Sequence, residues 1–315
     1  MTSSPSTSVG PTSVGPAFPV REPTEVVGRA AEAELLEAAL LSGAHVLLEG
    51  PPGTGKSTLL RQVASGQEIP FVLVEGNAEL TPARLIGHFD PALVLSKGYV
   101  PEIFADGPLL DAMRTGGLLY IEELNRIPEE TINVLLTAMS EREISVPRLS
   151  RVAAAPGFSL VAAMNPFDAV GTARVSGALY DRTCRISMGY QPAEAEQQIV
   201  DLQVYVDPGW RARVVTLVRN TREHPDIRFG SSVRGAIDIC RLAVELARIR
   251  GTSTDDWHVG LAAAKASLSG RIRLHDACDR TPERIITDLY IGVFGAEPTD
   301  DAAPDPNREE RPGER

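Results

Sequence analysis

The stretch Gly50-Pro-Pro-Gly-Thr-Gly-Lys-Ser-Thr58 carries the clearest chemistry in the chain. It satisfies the pattern G-x-x-x-x-G-K-[ST] through Gly50, Gly55, Lys56 and Ser57, with Pro51, Pro52, Gly53 and Thr54 between them and Thr58 after. Glycines at those places allow a tight loop whose backbone N–H groups face phosphate oxygens. Lys56 then reaches the terminal phosphates, and the Ser57 hydroxyl is a ligand for Mg2+. A second candidate pair closes the run GLLYIEELNRIP at 117–128. There Glu122 and Glu123 are adjacent carboxylates at the end of an apolar segment. Such a pair suits ATP hydrolysis, the first acid serving the metal and the second the water. ATPases usually carry Asp at the first place.

These groups need elements to hold them. HVLLEG at 45–50 is an apolar run ending in Gly, and STLLRQVAS after it has helical spacing. The loop therefore lies between a strand and a helix whose positive end faces the anion. Further apolar runs at 71–76, 118–123 and 158–165 read as strands, and 30–41 as a helix. Near-continuous apolar strands alternating with helices predict a parallel sheet covered on both faces. From 192 to 293 the pattern is helical only, at 193–205, 209–223, 232–250, 255–270 and 282–292, with Ser232 placed to cap the third of these helices. The expected division is a Ser/Pro/Gly tail at 1–23, an α/β nucleotide-binding domain at 24–190, a helical lid at 191–293 and a charged tail at 294–315. Both tails bury too little apolar surface to offset their ordering entropy.

Bulk composition narrows the function. The 315 residues are 43% hydrophobic and 23% charged, with a net charge of −11 from 31 basic and 42 acidic residues. A nucleic-acid partner is not expected from that balance. Cys184, Cys240 and Cys278 are odd in number, widely spaced and without a C-x-x-C, so they read as reduced thiols rather than a metal site. No apolar run is long enough to span a membrane, and the N-terminus lacks a signal-peptide pattern. The expected compartment is the cytoplasm.

With these motifs in order, residues 24–290 resemble an AAA+ ATPase of the MoxR family, in the branch shared with magnesium chelatase. VVGR at 26–29 resembles the family's first segment, where backbone beside Val27 meets adenine. LTPARLIGHFDP…GPLLDAMRTGG at 80–117 resembles the second-helix insert of that branch, and EELNRIP resembles its Walker B segment. AMSEREISVP leads into the hairpin before sensor 1, and AAMNPFDAVGT carries a sensor-1 Asn at 165. ALYDRTCRI resembles the Leu-Asp-Arg-Phe segment, with Thr183 at the Phe position. SSVRGAIDICRLA resembles the start of the sensor-2 helix.

The resemblance implies a P-loop AAA+ three-layer αβα domain with a parallel sheet, followed by a small all-α lid, binding ATP and Mg2+. Asn165 is then expected to orient the attacking water with Glu123. Arg182 is the expected arginine finger, acting on the neighbouring subunit, since a permanently charged fork suits charge developing on a transferring phosphoryl group. Arg234 is the expected sensor 2. Arg185 and Arg126 are further candidates for contacts across subunits. Glu122 aligns with the usual metal-associated Asp, because the other register would ask Leu124 to activate water. Its extra methylene predicts slowed rather than abolished turnover, since Mg2+ keeps several waters and an outer-sphere contact has slack.

A finger in trans implies a homo-oligomeric ring, expected to be hexameric. The implied role is chaperone-like remodelling or activation of a partner protein, as in metal or cofactor insertion, with a von Willebrand factor A domain protein the expected partner. The insert around 88–99 and the hairpin near 143–151 are candidate working surfaces. Two alternatives stand beside this: a nucleotide-gated scaffold that hydrolyses little, and a motor subunit of the gas-vesicle or magnesium-chelatase type.

Overall fold

Five strands whose apolar side chains leave both faces covered form the centre of the protein. The structure is a computed structural model and describes residues 26–166 and 176–298. Most of the two compositional tails, and the part of AAMNPFDAVGT after Pro166, lie outside the described residues.

Helix α1 (Ala30–Leu41) precedes β1 (His45–Glu49), the glycine loop and α2 (Lys56–Gly66). Then follow β2 (Phe71–Glu75), α3 (Pro82–Ile86), β3 (Gly87–Phe89), α4 (Pro91–Lys97), β4 (Phe104–Asp106), α5 (Pro108–Thr115) and β5 (Leu118–Glu122). After these come α6 (Glu129–Glu141), β6 (Glu143–Ser145), β7 (Arg151–Ala153), β8 (Ser159–Met164), α7 (Gly177–Asp181) and β9 (Thr183–Ser187). The helical remainder comprises α8 (Ala193–Gln203), α9 (Pro208–Glu223), β10 (Ile227–Phe229), α10 (Val233–Arg250), α11 (Trp257–Leu268), β11 (Arg273–Leu274) and α12 (Pro282–Phe294).

The main sheet is parallel in the order β2-β5-β8-β1-β9. Alternation along β1 sends Leu47 into the core on one face and Val46 and Leu48 into the core on the other. Every β1 residue is buried, as a central strand with helices on both sides requires. The helical region has its own core around Trp210, Ile239 and Tyr290. Several of its helices start on side-chain caps: Asp207 accepts from Trp210 N at 2.7 Å and Asp256 from Val259 N at 2.9 Å.

Three expectations are corrected. Strand β9 extends the sheet where only a motif was read; its mostly exposed pattern at the sheet edge hides it from an apolar-run criterion. The region after 192 is not purely helical, because β10 and β11 pair antiparallel, Ile227 opposite Leu274. Ser232 does sit at the N-cap of α10, but its hydroxyl makes no capping bond. It stands against Gly53 of the glycine loop instead, only 2.2 Å from where a Cβ on Gly53 would lie.

The insert folds as the hairpin β3–β4 around α4, and β6–β7 form a second hairpin. Arg148 in the second stacks on Tyr99 in the first at 3.8 Å, joining the two candidate surfaces. No helix among the described residues is long and apolar enough to cross a membrane.

Candidate nucleotide site

The parallel arrangement brings the C-terminal ends of β1, β5 and β8 together, which is where ligands bind in open α/β sheets. The glycine loop leaves β1, the acid pair ends β5, and Asn165 follows β8. Gly50 has no room for a side chain: a Cβ there would stand 2.1 Å from the Met188 carbonyl. Gly55 caps α2 in the left-handed conformation with φ 89°. Lys56 Nζ donates to the Gly50 and Pro51 carbonyls, each at 2.9 Å.

Two adjoining cavities meet at this loop. One, of about 280 Å³, is lined by Gly53–Thr58, Tyr120, Glu122, Glu123, Arg126, Asn165 and Arg234. The other, also about 280 Å³, is largely apolar and includes Val26, Val27, Tyr190, Ile199 and Ile237. Both share Gly53, Thr54, Gly55, Thr58 and Arg234, so the α10 arginine reaches the junction. No hydrogen bond or ion pair among the described residues holds its guanidinium.

Two cations facing a glycine loop suit a polyphosphate. Burial, and then the Arg234 charge, lower Lys56 to about 8. Phosphate favours the charged ammonium, so nucleotide binding should take up a proton near that pH. We expect ATP affinity to fall as pH rises through about 8. Calorimetry in buffers of different ionisation enthalpy measures this, and binding without proton uptake there would refute it.

The acid pair is set differently from its sequence image. Glu122 is the last residue of β5, in register with Glu75. Its longer side chain reaches Ser57, whose Oγ donates to Oε1. Tyr120 Oη stands 3.2 Å from the same hydroxyl. Ser57 and Glu122 are hard oxygen donors placed together, which fits Mg2+ held jointly with phosphates and water. Among the described residues no cluster of three acids, histidines or cysteines forms an all-protein metal site.

Glu123 adopts a left-handed backbone, φ 53° and ψ 41°. For a non-glycine residue that conformation costs on the order of 1–3 kcal/mol, and such strain clusters at functional sites. The turn brings Glu123 to the phosphate-side cavity, where Arg126 Nε pairs with it at 2.5 Å. Asn125 Nδ2 donates to the Asn165 carbonyl at 3.3 Å, joining the acid segment to the end of β8.

Arg182 lies apart. It lines neither cavity, and its guanidinium donates to Ser140 Oγ and, at 2.9 Å, to the Ala178 carbonyl. Arg185 is tied within its own chain to Glu49, a carboxylate only 3% exposed that also accepts from Tyr180 Oη at 2.6 Å.

Several cavity residues have no sequence signal. Tyr190, Gln191, Glu196 and Ile199 belong to no motif, and Ile237 lies in the SSVRGAIDICRLA segment with no role read for it. Glu196, 3% exposed, bonds Arg222 at 2.7 Å and Arg219 at 3.1 Å. Removing one member of a buried ion network strands its partners. Glu196→Ala should therefore cost about 3 kcal/mol, the low end because Arg219 keeps access to water. The midpoint of urea unfolding measures this, and an unchanged midpoint would contradict it.

This strand order, with a glycine loop after β1 and carboxylates ending β5, defines a P-loop protein of AAA+ fold. The family comparison agrees with that fold: residues 45–183 match the AAA domain of the dynein-related subfamily. An uncharacterized protein of Bacillus subtilis, YeaC, is 29% identical over 247 residues, 69% of this chain and 74% of that one. An uncharacterized protein of Staphylococcus haemolyticus is 32% identical over 161 residues, 50% of this chain and 60% of its own length. The Thermotoga maritima Holliday junction branch migration motor RuvB superposes with a TM-score of 0.51 at 19% identity, over 76% of this chain and 70% of that one. NtrX from Brucella abortus, in complex with ADP, gives 0.52 at 18%, over 86% and 64%. At such identities these two structures establish the fold alone.

Proposed function

We propose that this protein is an ATP hydrolase of the MoxR type. It couples ATP binding and hydrolysis in a homo-oligomeric, hexameric ring to remodelling or activation of a partner protein carrying a von Willebrand factor A domain. The observation carrying the catalytic part is the convergence of Lys56, the Ser57–Glu122 pair, Glu123 and Arg234 on one cavity beside the glycine loop. Mg2+ would sit at Ser57 and Glu122 and neutralise phosphate charge. Lys56 and Arg234 hold the phosphates, and Glu123 takes the proton of the attacking water with Asn165 orienting it. Arg182 serves the adjacent subunit's site. The MoxR assignment rests on the motif order from VVGR to SSVRG, and the partner on that assignment.

A nucleotide-gated scaffold is the second reading. It is favoured by the Glu123–Arg126 pair, which occupies the base. Turnover assays separate the two: measurable wild-type hydrolysis that disappears in Glu123→Gln supports the enzyme, and equal near-zero rates support the scaffold. Co-purification with a slowly hydrolysed ATP analogue tests the partner. Recovery of nucleic acid without protein would reject it.

A further inference from the structure

We infer that Arg29 is a positioning residue, which holds the peptide between Thr54 and Gly55 so that the Gly55 N–H faces bound phosphate; this rests on the proposed nucleotide site. Arg29 is 5% exposed and lines neither cavity. Its Nη2 donates to the Thr54 carbonyl at 3.2 Å and to the Gly189 carbonyl, and its Nη1 donates to Glu32 at 2.6 Å. A buried guanidinium needs acceptors. Here one of them belongs to the glycine loop itself.

The peptide plane converts that tie into an orientation. In a planar trans peptide the C=O and the following N–H point in opposite directions, and no peptide bond among the described residues is cis. The Thr54 carbonyl turns towards Arg29, which lies outside both cavities, so the Gly55 N–H turns the other way. Gly55 lines both cavities, and its N–H donates to nothing among the described residues. An unpaired N–H in a glycine loop is a donor set for an anion. The anchor is firm on both sides. Thr54 Oγ1 donates to the Pro51 carbonyl at 3.0 Å. Met188 N donates to the Glu49 carbonyl at 2.7 Å, which fixes the backbone beside Gly189 on β1.

The direct bond matters more than the charge behind it. Among the influences on Lys56 the Arg29 charge is the smallest, after burial, Arg234 and the two acids. The forked guanidinium holds Glu32 with one terminal nitrogen and the two carbonyls with the other. A lysine ammonium carries the same charge on a single nitrogen and cannot hold all three places at once.

The test measures the affinities of ADP, inorganic pyrophosphate and adenosine for the full chain, for Arg29→Met and for Arg29→Lys. In Arg29→Met, ADP and pyrophosphate should each bind about tenfold more weakly, the scale of one hydrogen bond to a charged group, while adenosine is unchanged. Arg29→Lys keeps the charge and the Glu32 partner, so it should fold even where Arg29→Met does not, and it too should lose pyrophosphate affinity. Wild-type pyrophosphate affinity in either variant overturns the inference; in Arg29→Lys it would show that charge suffices without the tie. Equal weakening of adenosine would show a packing role and also overturns it. Absence of ADP and pyrophosphate binding to wild type would instead reject the nucleotide site itself.

Discussion

Replacing Arg182 with alanine should cut ATP turnover by about 10³–10⁵-fold, the effect an arginine finger supplies. Affinity for a slowly hydrolysed ATP analogue should barely change. The expectation follows from where Arg182 stands. It lies at the end of α7, lines neither cavity of its own chain, and is held by Ser140 and the Ala178 carbonyl on a partly exposed surface. In the proposed ring, a guanidinium outside both cavities of its own chain would serve a neighbour's loop. Mixing separates the roles. Arg182→Ala and Glu123→Gln subunits should each be inactive alone, yet recover part of the activity together. In the proposed ring, mixing would set an intact finger against an intact site. No recovery, with a lowered melting temperature for Arg182→Ala, would mean the arginine only braces α7 against α6.

The second large effect belongs to Glu123. Glu123→Gln should lower turnover by about 10²–10⁴-fold, the usual contribution of a positioned general base. Amide and carboxylate have nearly the same shape, so nucleotide binding and oligomeric state should persist. Single-turnover measurement with radiolabelled ATP reads this directly. Substantial hydrolysis by the variant would move the base elsewhere. Glu122 is the alternative, and its contact with Ser57 argues against it, because a carboxylate engaged there faces the metal side.

Much of the site was legible in sequence because it is local. The glycine loop needs only a strand before it and a helix after it. Likewise Glu122 and Glu123 ride on an apolar strand, and β1, β2, β5 and β8 are apolar enough to announce themselves. Less legible was β9, since Thr183–Ser187 is mostly exposed at a sheet edge and becomes a strand by pairing with β1. The pairing of β10 with β11 joins segments separated by all of α10 and α11. Ser232 occupies its predicted cap position, yet its hydroxyl meets Gly53, a neighbour that only the packing of α10 on the loop supplies.

The conformation of Glu123 was not readable either. Its left-handed backbone and pairing with Arg126 follow from how the chain leaves β5. The sequence identifies the adjacent acids but says nothing about which way each turns.

By itself, then, the sequence determined the glycine loop between β1 and α2, the acid pair at the end of β5 and the αβα layering, because each depends on residue type and short-range spacing. Only the tertiary structure decided the wall of the apolar cavity at Tyr190, Gln191 and Glu196, and the tie from Glu49 to Tyr180 and Arg185, 131 and 136 positions away. Contacts of that range arise from sheet order and helix packing, and no local pattern encodes them.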